Sequence, residues 1–187
     1  MYTAADLRKG LKIDIDGQPY IVSEFNFVKP GKGQALYVCK LKNMITGATL
    51  SKTYRSNDKF QEAQLEEKKL LYSYQNGDDY VFVDQHYEQF TVPSAVLGDA
   101  RRLLTEDMEV EVLFHKGRPV HAELPTFVEK RVEHTEPGAR GDTVSNVMKP
   151  ATVEGGFEIK VPLFVNEGDV VRIDTRTGEY VDRVRRK

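Results

Sequence analysis

Short alternating runs joined by glycine-containing turns constrain this chain more than any other feature of its sequence. Leu11-Lys12-Ile13-Asp14-Ile15 and Glu109-Val110-Glu111-Val112 place an apolar residue at every second position, the period of a strand with one buried face. Asp16-Gly17 separates Ile13 to Ile15 from Tyr20 to Val22, Asn76-Gly77 separates Leu70 to Tyr74 from Tyr80 to Val83, and Lys116-Gly117 separates Val110 to Phe114 from Val120 to Ala122. These are hairpin signals, and Asn-Gly is the strongest, because both residues accept positive φ in a tight turn. Thr175-Arg176-Thr177-Gly178-Glu179 reads as a longer hairpin loop between Val170 to Ile173 and Tyr180 to Val181. The one helical stretch expected is Ser94 to Leu104, where Val96, Leu97, Leu103 and Leu104 share a face and Gly98 weakens the middle. Strands at this spacing predict a mostly β chain of small barrels or sandwiches.

Charge divides the chain. Residues 1–64 carry ten Lys or Arg against six Asp or Glu, residues 65–128 carry six against twelve, and residues 129–187 carry eleven of each. A basic first third beside an acidic second predicts that only part of the surface faces phosphate. The breaks also suggest three units: 1–64, 65–128 (acidic) and 129–187, each near the lower size at which one core is stable. Three small β-barrels in series is the expected architecture.

The sequence offers little for catalysis. No Gly-x-Ser-x-Gly element is present, and His86, His115, His121 and His134 show neither His-Glu-x-x-His nor Cys/His zinc spacing. The acidic pairs Glu66-Glu67, Asp78-Asp79 and Glu106-Asp107 read as solvated charge on hairpins and loops. No enzyme activity, metal or cofactor is expected, although a pocket setting His115 or His121 against a carboxylate would support a small enzyme. Cys39, the single cysteine, reads as a core or strand residue. The longest apolar runs fall far short of the roughly 20 residues of a membrane helix, and the start lacks a signal peptide's basic and apolar regions. A cytoplasmic location, with no membrane partner, is expected.

One loop stands out. Lys29-Pro30-Gly31-Lys32-Gly33-Gln34 lies between the strand-like runs Tyr20 to Val28 and Ala35 to Leu41, which places Lys32 at or near a hairpin tip. Glycines on both sides remove neighbouring side chains and permit backbone angles closed to other residues, while Pro30 restricts the approach. The product is a slim finger ending in an amine with three hydrogen-bond donors, or a site for covalent extension. It is not a phosphate-cradling loop, since no glycine precedes at the required spacing and no Ser or Thr follows the lysine. Lys29, Lys40, Lys42 and Arg55 are the candidate phosphate contacts of the basic first third.

Phe27-Val28-Lys29-Pro30-Gly31-Lys32-Gly33-Gln34-Ala35 resembles the signature loop of the elongation factor P family. The resemblance continues through Leu7 to Leu11, Asn43 to Gly47, Lys52 to Ser56, Tyr72 to Gly77, Pro137 to Thr143, Lys149 to Thr152, Val161 to Val165 and Asp174 to Arg183. It implies an N-terminal SH3-like, KOW-type barrel, then two OB-folds, in an L-shaped tRNA-like outline. It further implies a monomeric, non-enzymatic factor that binds both ribosomal subunits between the P and E sites. There it would relieve stalling at consecutive prolines by positioning the P-site peptidyl-tRNA. On this resemblance Lys32 is extended by a modifying enzyme with a lysyl or aminoalcohol group, or stays bare. Arg140, Gly141, Asp142 and Thr143 match the loop that approaches the E-site codon, and Tyr180 and Arg183 match the small-subunit face. The competing reading is a paralogue or general RNA-binding barrel protein acting at another site or RNA.

Overall fold

The computed structural model describes residues 1–138 and 147–185 of the 187-residue chain. Three successive sheets account for its strands. The first contains β1 (Tyr2–Thr3), β2 (Lys12–Ile15), β3 (Gln18–Val28), β4 (Leu36–Asn43), β5 (Thr49–Arg55) and β6 (Lys59–Glu62), in the order β1-β6-β2-β3-β4-β5. The second contains β7 (Glu66–Asn76), β8 (Asp79–Val83), β9 (Gln89–Pro93), β10 (Glu109–His115) and β11 (Arg118–Glu123), in the order β11-β10-β7-β8-β9. The third contains β12 (Phe127–Thr135), β13 (Met148–Val153), β14 (Phe157–Pro162), β15 (Val170–Asp174) and β16 (Glu179–Arg183), in the order β14-β13-β12-β15-β16.

The turns show why these strands form. Ile15 pairs with Gln18 across Asp16-Gly17, whose φ values of 52° and 80° are those of the two-residue turn that matches strand twist. Lys116 and Gly117, at 49° and 79°, make the same turn between β10 and β11. The Asn76-Gly77 turn departs from expectation. Asn76 is the last residue of β7 and pairs with Asp79, so the turn residues are Gly77 and Asp78, and of these only Gly77 has positive φ, at 63°. That is the φ pattern of a type II′ turn, which needs glycine at its first central position only. Asp174 pairs with Glu179 across a four-residue loop, closed where the Gly178 amide donates to the Asp174 carbonyl at 2.7 Å.

The stretch from Ser94 to Leu104 is helical in two pieces. One α-turn, α1 (Ser94–Leu97), gives way at Gly98, with φ 60° and ψ −148°, to a 3-10 segment Gly98–Leu103. An αR helix cannot pass through that dihedral pair, so the glycine breaks the helix. Leu97 and Leu103 are buried, while Val96 and Leu104 are half-buried.

The chain divides into two compact units, one of residues 1–67 with 113–121 and one of 68–112 with 122–187. In the first, Ala4, Leu7, Leu11, Ile13, Val22, Cys39, Leu41 and Phe60 form the core. Cys39 is fully buried, and burial pushes its thiol pKa up, as expected of an inert packing residue. In the second, Leu103 joins Val128, Val132, Val153, Val161, Val171 and Ile173 in one core cluster. The 3-10 segment after α1 therefore fills its apolar face against strands 25 or more residues downstream.

Candidate functional site

The ladder between β3 and β4 runs to Val28↔Leu36 and leaves Lys29 to Ala35 as the connecting loop. Within it the Gly33 amide donates to the Pro30 carbonyl at 3.2 Å, closing a turn whose central residues are Gly31 and Lys32. Proline suits the position before that turn's centre, because its ring limits φ where the chain reverses. Every residue from Asn26 to Gln34 is exposed, and Lys32 has no hydrogen-bond or ion-pair partner among the described residues. Lys32 thus stands at the hairpin tip. The glycines serve differently from the expectation: neither Gly31 nor Gly33 has positive φ. A Cβ on Gly31 would meet nothing within 4 Å, and one on Gly33 would make ordinary contact with Pro30 at 3.4 Å. Their contribution to this fold is slenderness beside Lys32.

Below the tip, opposite residues share a face of the sheet. Phe27↔Tyr37↔Tyr54 and Phe25↔Cys39 continue the core face toward the loop. Tyr37 packs edge-on to Phe27 at 5.2 Å between ring centroids and stacks on Phe25 at 6.2 Å. These rings stiffen the neck of a hairpin that projects past its core, and Phe27 stays 53% exposed. The alternation Phe25, Phe27 was the available sequence signal for this support. On the opposite face lie Lys40, Lys42 and Arg55, all exposed. Lys40 is ion-paired with Glu24 at 3.4 Å, a partial offset that sequence did not reveal. From residue 25 to residue 57 the chain carries six cationic side chains and no carboxylate. The hairpin and its neighbour β5 form a cationic surface capped by a free amine.

The remaining candidates lie elsewhere. Arg140, Gly141, Asp142 and Thr143 fall outside the described residues. Tyr180, half-buried, packs against the core of the second unit, and burial, with Asp182 second, pushes its hydroxyl pKa up. Arg183 holds its guanidinium 4.9 Å over the exposed Phe164 ring and lies 3.5 Å from the Asp169 carboxylate. Phe164, Tyr180, Asp182, Arg183 and Arg185 line an open cleft of about 630 Å³. Phe164 was not singled out from sequence, where Leu163-Phe164-Val165 reads only as an apolar run.

The arrangement holds no assembled catalytic constellation around His115. Both His115 ring nitrogens are buried without a hydrogen-bond partner, so no carboxylate orients that imidazole. His134 lies exposed between Glu136 and Glu167, at 3.7 and 3.3 Å. Among the described residues no helix is long and apolar enough to cross a membrane.

A mostly β chain with three successive sheets and a basic hairpin at its first sheet is a modular small-barrel protein. Family models match it in the same order: the elongation factor P KOW-like domain over residues 3–60, the elongation factor P OB domain over 65–122 and the elongation factor P C-terminal domain over 128–183. Elongation factor P of Desulfotalea psychrophila is 51% identical over 186 residues, covering 99% of this chain and 100% of that protein. The Syntrophus aciditrophicus protein of that name has the same identity and coverage, and that of Clostridium botulinum is 51% identical over 185 residues, 98% of this chain. The chain belongs to the elongation factor P family and is a translation elongation factor.

Proposed function

We propose that this factor binds the ribosome between the P and E sites and stimulates peptide-bond formation, relieving stalling at consecutive prolines by positioning the P-site peptidyl-tRNA through a modified Lys32. The observation that carries this reading is the exposed, unpartnered Lys32 at the centre of the Pro30 to Gly33 turn, in a stretch from residue 25 to residue 57 that contains no carboxylate. Such a finger enters a narrow cleft, and its amine accepts an extension from a modifying enzyme. Lys29, Lys42 and Arg55 hold tRNA phosphates through sequence-independent attraction, and Lys40 contributes less because Glu24 shares its charge. Pro30, Gly31, Gly33 and Gln34 shape the tip.

The chain works as three modules, 1–64, 65–128 and 129–187. Arg140 to Thr143 approach the E-site codon, and Tyr180 and Arg183 face the small subunit. The factor makes and breaks no bond itself. It reduces the positional freedom of the tRNA ends, a recognised source of rate enhancement, and the ribosome performs the chemistry. It acts as a cytoplasmic monomer without metal or cofactor.

Reconstituted translation of a Pro-Pro-Pro reporter tests the reading with no factor, protein purified from its native source and Lys32→Ala. Stimulation by the native protein that Lys32→Ala loses supports it. No stimulation by native protein whose Lys32 modification has been verified by mass spectrometry favours a general RNA-binding role instead.

A further inference from the structure

We infer that the cleft beside β16 binds an unstacked nucleotide of single-stranded RNA, with the base on Phe164 and the phosphate at Arg185. The inference rests on the proposed small-subunit contact of Tyr180 and Arg183 and gives that contact its chemistry. Phe164, Tyr180, Asp182, Arg183 and Arg185 line the open cleft of about 630 Å³, and the two arginines also line a second hollow of about 390 Å³ together with Asp169. Val165 is fully buried and its amide donates to the Pro162 carbonyl at 3.1 Å, so the backbone that presents the neighbouring Phe164 ring is held by the core. Arg183 is fixed before any ligand arrives. Its guanidinium lies 4.9 Å over the Phe164 ring, its Nη1 donates to the Phe164 carbonyl at 3.5 Å, and the Asp169 carboxylate stands 3.5 Å away. Phe164 nevertheless stays 56% exposed, so the guanidinium leaves ring surface open for a second planar group.

Charge and ring chemistry identify the occupant. Both carboxylates that line these hollows are engaged: Asp169 accepts the Asn166 amide at 2.9 Å and faces Arg183, and Asp182 pairs with Arg172 at 3.5 Å. Arg185 has no hydrogen-bond or ion-pair partner among the described residues. The uncommitted charge of the cleft is therefore a guanidinium, whose fork matches phosphate. Beside it stands a part-bare aromatic ring with an arginine plane on it, and unstacked bases of single-stranded RNA stack on both kinds of surface. A duplex keeps its base faces within its own stack, and a carboxylate-bearing peptide would engage Arg185 and leave the ring bare.

The test is titration of the full-length protein at low salt with hexaadenylate, hexauridylate or deca-glutamate, followed residue by residue through amide chemical shifts, for wild type, Phe164→Leu and Arg185→Gln. The expected result is shifts at residues 163–165 and 180–185 with both oligonucleotides, tighter for the adenylate because purines stack better. Phe164→Leu, a change at an exposed position, should bind hexaadenylate there about tenfold more weakly and lose the purine preference, while Arg185→Gln weakens both oligonucleotides alike. Unchanged affinity in Phe164→Leu overturns the inference, as do oligonucleotide shifts confined to residues 25–57. Equal shifts at residues 163–165 and 180–185 with deca-glutamate also overturn it and make the cleft a contact for acidic protein. Sedimentation with ribosomes separates this failure from that of the underlying reading: a Phe164→Leu protein that binds as wild type does, beside a Tyr180→Ala, Arg183→Ala protein that does not, sinks the stacked nucleotide and leaves the small-subunit contact standing.

Discussion

Substituting Gly155 by alanine should destabilise the second compact unit by about 2.5 to 5 kcal/mol, far more than the same change at Gly156. Both glycines occupy the left-handed region, at φ +86° and +77°, so each alanine incurs about 1 to 2 kcal/mol of backbone strain. Their surroundings differ. A Cβ on Gly156 meets nothing within 4 Å, whereas one on Gly155 would lie 2.1 Å from the Arg102 carbonyl oxygen. Relief requires that carbonyl to retreat by about 1.3 Å to reach ordinary contact at 3.4 Å. The retreat breaks the 3.3 Å bond from Arg102 Nη1 to the Gly156 carbonyl and pulls Leu103, 1% exposed, from the cluster formed with Val128, Val132 and Val153. Losing a leucine's burial costs about 1.5 to 3 kcal/mol, and adding the strain gives the range stated. Urea unfolding of the full chain, followed by circular dichroism, measures both variants. Equal destabilisation by the two alanines would refute the contact argument, leaving only the shared φ effect.

Ribosome affinity should fall as salt rises, with Lys29→Ala and Arg55→Ala each flattening the slope and Lys40→Ala flattening it less; sedimentation binding at several ionic strengths checks this, and a slope unchanged by Lys29→Ala and Arg55→Ala removes those contacts. His115→Leu should raise stability by about 1 kcal/mol, because leucine removes two buried ring nitrogens without partners, and a lower thermal midpoint would mean that the imidazole is satisfied. The Asp174 carboxyl is held below the usual carboxylate range by side-chain and backbone hydrogen bonds from Arg176. Its folded pKa lies below its unfolded value, so the stabilisation is present above the ordinary carboxylate pKa and lost as pH falls through the folded one. The thermal-midpoint advantage of wild type over Asp174→Asn should therefore disappear on acidification, and an advantage that grew would contradict the sign.

Much of the fold was legible because turns and strand period are local properties. Asp16-Gly17 and Lys116-Gly117 form the hairpins their φ preferences require, and Lys32 lies at the tip that the flanking strands predicted. The Asn76-Gly77 turn shifted by one residue because strand pairing kept Asn76 in the ladder, a tertiary override of a local signal. The positive φ that glycine permits is not used at Gly31 or Gly33, since a turn whose two central residues both keep negative φ also reverses the chain. Long-range placements left no local trace. Nothing in the sequence tells that Leu103 packs among Val128 and Val132, that Arg102 closes on Gly155, or that Glu24 shares the charge of Lys40.

The most direct test of the central claim is photocrosslinking from position 32 on ribosomes stalled at consecutive prolines. A photoreactive amino acid replacing Lys32 should crosslink to the 3′ end of the P-site tRNA, and control sites at Asp84 and Glu158 should not. Crosslinks from position 32 only to ribosomal RNA or protein remote from that tRNA end would contradict the account.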